Sequence, residues 1–81
     1  MNRIEVYSTD NCPWCDRAKS LLRANGLDFA EIDISSDRVR ALEMMERSGR
    51  RTVPQIFIDD EPIGGFDELS NMGLPNQAES R

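Results

Sequence analysis

The sequence predicts an α/β domain in which three helices flank a four-stranded mixed sheet, in the order β-α-β-α-β-β-α. Three observations carry that prediction. Apolar and polar residues alternate along Ile4-Glu5-Val6-Tyr7. Cys15, Ala18, Leu21 and Leu22 recur at helical spacing, and Asp59-Asp60 separates two short strand-like runs as a hairpin turn. A βαβ unit followed by a hairpin gives a sheet with both parallel and antiparallel pairs.

Ile4–Tyr7 is the first strand. Ser8-Thr9-Asp10-Asn11 follows as a turn rich in helix-capping side chains, and Pro13 suits the first helical turn, where its missing N–H is not needed. The first helix faces water with Asp16, Arg17, Lys19 and Arg23, and stops at Asn25-Gly26, where Gly26 is free to take a left-handed cap. Phe29–Ile34 reads as the second strand. Ser35-Ser36-Asp37 opens the second helix, whose apolar residues Val39, Leu42 and Met45 form one stripe, and Ser48-Gly49 closes it. Gln55–Ile58 and Glu61–Ile63 are the third and fourth strands. Pro62 puts the fourth at an edge, where a lost donor costs little. Gly64-Gly65 leads into a short helix near Phe66–Met72. The domain therefore spans residues 1–73, and 74–81 form a polar, poorly ordered tail.

The chain has 81 residues, enough for one small domain and no second. Fifteen acidic against ten basic residues give a net charge of −5, which argues against nucleic acid, because phosphate contacts need clustered positive charge. No apolar run approaches membrane-spanning length, and the first residues lack a secretory apolar core, so a cytoplasmic location is expected.

The two cysteines stand three apart in Cys12-Pro13-Trp14-Cys15. Random placement would give that spacing roughly 2% of the time, so the pair is read as a working one. There is no histidine, and two thiolates fall short of the four ligands zinc prefers, so no metal is expected within one chain. A structural disulfide closing so short a loop removes little unfolded-state entropy, which leaves redox chemistry as the leading role.

Cys12-Pro13-Trp14-Cys15, Arg51-Thr52-Val53-Pro54 and Gly64-Gly65-Phe66-Asp67, in that order and together with Tyr7 and the strand pattern, make the chain resemble a dithiol glutaredoxin, the smallest form of the thioredoxin fold. The resemblance covers about residues 3 to 72. It implies a glutathione-dependent thiol–disulfide oxidoreductase that reduces protein disulfides and protein–glutathione mixed disulfides. Cys12 is the implied nucleophile and Cys15 the resolving thiol. Glutathione is the reducing co-substrate, no cofactor is tightly bound, and a monomer is expected. Helix-start amides and the helix dipole favour a Cys12 thiolate, whereas Asp10 and Asp16 oppose it.

The implied glutathione-binding residues are Tyr7, Trp14, Arg51, Thr52, Val53, Pro54, Gly65, Phe66 and Asp67. A cis Val53-Pro54 bond would leave Val53 backbone groups to pair with the cysteinyl part of the ligand. The Phe66 and Asp67 amides would take the γ-glutamyl carboxylate, with the Asp67 side chain on the ammonium. Arg51 is the first choice for the glycine carboxylate, with Arg47 and Arg50 as alternatives. Two departures stand out: Thr9 replaces a lysine that many relatives carry, and Glu68 stands where a second aspartate is common. Two rival roles exist, a [2Fe–2S] cluster held between two chains, against which Pro13 counts, and reduction by thioredoxin reductase in place of glutathione.

Overall fold

The computed structural model describes residues 3–73. The expected tail over 74–81 lies outside the described residues. The elements run β1 (Ile4–Ser8), α1 (Pro13–Ala24), β2 (Ala30–Asp33), α2 (Arg38–Ser48), β3 (Gln55–Ile58), β4 (Glu61–Gly64) and α3 (Phe66–Asn71). The predicted order is the observed one.

The sheet has the strand order β2-β1-β3-β4. β1 pairs parallel with β2 and antiparallel with β3, and β3 pairs antiparallel with β4, with a bulge between Ile56 and Phe57. Pro62 sits on β4, an edge strand, as its missing donor requires. The other edge, β2, carries Glu31 and Asp33 on exposed positions. It is shorter than the predicted Phe29–Ile34, because Phe29 packs on the core from outside the strand and Ile34 leaves the ladder after donating to Ser8 O.

Alternation along β1 sends successive side chains to opposite faces. Ile4 and Val6 join Ala18 and Leu22 of α1, Ile56 and Ile58 of β3, and Leu69 of α3 in the larger core cluster. Tyr7 joins Phe57 and Met44 in a second cluster under α2. Thus α1 and α3 share one face of the sheet and α2 covers the other.

On α2 the predicted stripe is corrected. Val39 is 74% exposed, Leu42 53% and Met45 37%, while Met44 is fully buried. The inward line of α2 is instead Glu43, Met44 and Arg47. The reason is Tyr7: its buried hydroxyl needs partners, and it donates to the Glu43 carboxylate and accepts from Arg47 at 2.7 Å. Arg47 also bonds Glu5 at 3.0 Å and lies 4.0 Å from the centre of the Phe57 ring. Two charged residues therefore share the sheet-facing side of the helix with Met44, and the apolar stripe faces away from it.

Two smaller corrections concern α1. No side chain of the Ser8–Asn11 turn caps it; the N-cap is Cys12 itself. Lys19 is not a solvated residue but reaches Glu31 at 2.7 Å, and Glu31 accepts from Ser8 at 2.9 Å, tying α1 to β2 and β1. Asn25 and left-handed Gly26 end α1, and left-handed Gly49 ends α2, as their sequence positions predict.

Candidate active site

Cys12 and Cys15 are joined as a disulfide with Cα atoms 5.2 Å apart. Cys12 is half-buried and Cys15 fully buried. The difference follows from position: Cys12 precedes the first helical turn, whereas Cys15 is one turn in, on the side where Ala18 and Leu22 face the sheet. The Cys12 sulfur accepts a hydrogen bond from the Cys15 amide at 3.1 Å, and its carbonyl accepts from Asp16 N at 3.0 Å. The sulfur thus faces the positive end of the α1 dipole, a setting that favours an anion there. Asp16, whose charge opposes this, lies 3.6 Å from the Lys19 ammonium.

A cavity of about 320 Å³ opens next to this loop, within the size range of small-ligand sites. Trp14, Thr52, Val53 and Pro54 line it on one side, and Gly65, Phe66 and Asp67 belong to it as well. Seven of the nine predicted ligand-binding residues are therefore brought together. The cysteines themselves are not part of its wall; Trp14, which lies between them in sequence, joins the two. Its ring is half exposed, 5.6 Å from the Phe66 ring, with the Arg17 guanidinium 4.5 Å from its centre.

The Val53-Pro54 peptide is cis. The start of α3 lies against this loop: a Cβ at Gly65 would stand 3.4 Å from the Pro54 carbonyl oxygen, an ordinary van der Waals contact. Gln55 donates from its amide to Thr52 Oγ1 at 3.1 Å and pins the loop from below.

Two predicted residues are not in the cavity. Tyr7 is fully buried in the α2 cluster, with its ring edge-on to Phe57 at 5.4 Å. Burial first, and then the bond to Glu43, push its pKa above the ordinary tyrosine value, against the lowering effect of Arg47. Arg51 is exposed and does not line the cavity; Arg50, one of the alternatives, does. Arg47, the other alternative, is committed to Glu5, Tyr7 and Asp60.

The cavity also includes Gln55 and Glu68, which sequence reasoning did not choose. The Glu68 carboxylate accepts from the Gly65 amide at 2.8 Å, and that amide, its own backbone amide and Arg50 hold its pKa below the usual carboxylate value. The signal was present: a glutamate three residues after a helix-start position is half of a capping box.

The family model for glutaredoxin matches residues 4–63. The chain is 49% identical to Glutaredoxin 3 of Escherichia coli strain K12 over 69 residues, covering 85% of this chain and 83% of that protein. Among solved structures it matches a glutaredoxin from Brucella melitensis with a TM-score of 0.74 and 47% identity, covering 86% of this chain and 76% of the other. It also matches the glutaredoxin of a buckwheat glutaredoxin–glutathione complex, with a TM-score of 0.72 and 32% identity, over 80% of this chain and 62% of the buckwheat chain. Sheet order, cysteine placement and these likenesses agree: the chain belongs to the glutaredoxin family.

Proposed function

We infer that this glutaredoxin is a glutathione-dependent thiol–disulfide oxidoreductase that reduces protein disulfides and protein–glutathione mixed disulfides. The observation that carries the reading is the Cys12 sulfur at the start of α1, hydrogen-bonded by the Cys15 amide, with Cys15 buried behind it.

In the reduced protein the Cys12 thiolate attacks one sulfur of the substrate disulfide. The S–S bond breaks, one substrate thiolate leaves and takes a proton, and Cys12 is left in a mixed disulfide. For protein disulfides, Cys15 loses its proton and attacks the Cys12 sulfur, releasing the second substrate thiol and forming the Cys12–Cys15 disulfide. The substrate has gained two electrons and the dithiol has lost them. One glutathione then opens that disulfide as a Cys12–glutathione adduct, and a second attacks the adduct, giving glutathione disulfide and the free dithiol. For a glutathionylated protein, Cys12 attacks the glutathione sulfur and the adduct forms directly.

In our reading, glutathione binds with its cysteinyl backbone paired with Val53 along the Thr52–Pro54 loop. The Phe66 and Asp67 amides take the γ-glutamyl carboxylate and the Asp67 side chain the ammonium. Arg50 takes the glycine carboxylate in place of Arg51, a choice supported by its position in the cavity wall. Trp14 offers a half-exposed ring beside the nucleophile for the partner. No helix of the described residues is long and apolar enough to cross a membrane. A dithiol of this kind works where glutathione is kept reduced, which is the cytoplasm.

The test compares two electron sources on one small glutathione mixed disulfide: glutathione with glutathione reductase, and NADPH with thioredoxin reductase. Turnover with the first supports the reading. Turnover with the second alone replaces it.

A further inference from the structure

Arg50 and Glu68 both line the cavity, Arg50 from the segment after α2 and Glu68 from the first turn of α3. Arg50 Nη1 lies 3.5 Å from Glu68 Oε2. The other carboxylate oxygen accepts from the Gly65 amide at 2.8 Å. The Glu68 side chain is folded over the diglycine so closely that a Cβ on Gly64 would meet its Cδ at 2.8 Å and its Oε1 at 2.9 Å. The glutamate is therefore fixed by its backbone bond and by the room the glycine leaves, while Arg50 comes to it.

Both side chains are half exposed, and an ion pair of that kind adds little to stability. What it does is engage the cationic group of the cavity wall before any ligand arrives. We propose that Glu68 is a built-in competitor for Arg50, and that it sets how tightly the cavity holds an anionic peptide thiol. The proposal rests on the reading of this cavity as the glutathione site. A ligand carboxylate gains Arg50 only as Glu68 gives it up, so the net gain is the difference between two similar pairs. With a neutral residue at 68 the whole pair is available to the ligand, and discrimination in favour of carboxylate-bearing thiols rises.

The experiment is a double-mutant cycle of Glu68→Gln and Arg50→Gln. KM and kcat for glutathione are measured in each protein, and the Kd for reduced glutathione is measured by calorimetry in a Cys12→Ser background that cannot exchange. Glu68→Gln keeps an acceptor for the Gly65 amide, and Glu68→Ser serves as a second neutral variant; thermal melts check all of them for folding. The expected result is a fall of about two- to fivefold in both KM and Kd on neutralising Glu68, with the change in KM and not in kcat. The shift disappears when Arg50 is already glutamine. An unchanged or raised Kd overturns the proposal. So does a shift that survives Arg50→Gln, because it would be a general charge effect. If the unmutated protein binds and turns over glutathione while the variants match it, only the role of Glu68 fails. If it does neither, the glutathione reading fails and takes this proposal with it.

Discussion

The backbone amide of Cys15 donates to the sulfur of Cys12 at 3.1 Å, so the half-buried cysteine is held by the chain of its buried partner. In the proposed mechanism the two thiols differ in role. One sulfur meets the outside with a donor already aimed at it, and the other lies behind it within reach of the bond that first attack creates. Cys12→Ser abolishes exchange with every substrate. Cys15→Ser retains turnover of glutathionylated substrates and loses the dithiol route for protein disulfides. Parallel assays on a glutathione mixed disulfide and on a protein disulfide check this, and activity that survives Cys12→Ser would end the assignment.

The exposed stripe on α2 gives a stability contrast. Leu42→Glu changes unfolding free energy by no more than about 0.5 kcal/mol, the range of ordinary surface substitutions. Met44→Ala, two residues on, costs about 2–4 kcal/mol, because Met44 is fully buried between Tyr7 and Phe57. Urea unfolding of both variants decides. Equal losses would mean that the stripe is covered.

Tyr7 is the only tyrosine in the chain, so tyrosinate absorbance reports it alone. Burial and the Glu43 contact raise its folded-state pKa above 10.0. The unfolded chain therefore loses this proton first, and stability that is complete below pH 10 falls as pH climbs from there through the folded value. The native titration midpoint should lie above that in denaturant, and Tyr7→Phe should remove this part of the alkaline loss. Coincident midpoints would refute it.

Arg47 bonds Glu5, whose side chain is 11% exposed, and the Tyr7 hydroxyl, and covers the Phe57 ring. Arg47→Ala strands the Glu5 charge and strips a ring face, and should cost about 2–3 kcal/mol. Arg47→Lys should recover only part of that, because an ammonium lacks the planar fork that reaches Glu5 and Tyr7 while lying near the ring. Denaturant midpoints with an unchanged m-value are the check.

Gly64 holds φ at +121°, and its missing Cβ makes room for Glu68. Gly64→Ala combines a disfavoured backbone with contacts of 2.8–2.9 Å, so it should destabilise by more than about 1 kcal/mol. It should also dislodge Glu68 and change glutathione KM. A variant as stable as the parent would show that the turn can relax.

Most of the architecture could be read from the chain because its local signals agree: alternation in β1, the Cys15–Leu22 period, left-handed glycines after both long helices, and proline on the edge strand. The site was readable as far as its motifs reach, and Trp14, Thr52–Pro54 and Gly65–Asp67 do share one cavity. The misses have a common cause. Which face of α2 turns inward was settled by the hydroxyl of one distant tyrosine, which drew Glu43 and Arg47 beneath the helix. Of two adjacent arginines, the one that lines the cavity, Arg50, meets Glu68, eighteen residues beyond it. Hydropathy along one segment carries no record of a polar partner on another.

The sheet's two margins carry acid: Glu31 and Asp33 on one, Glu61 beside a proline on the other. Copies meeting rim to rim would bring Asp33 and Glu61 together, and Pro62 offers no donor on its strand, so crowding does not favour ribbon formation. The same design has a chemical boundary. At high ionic strength the mutual repulsion of those exposed carboxylates is screened, and the solubility of the chain should fail there before its covalent chemistry does.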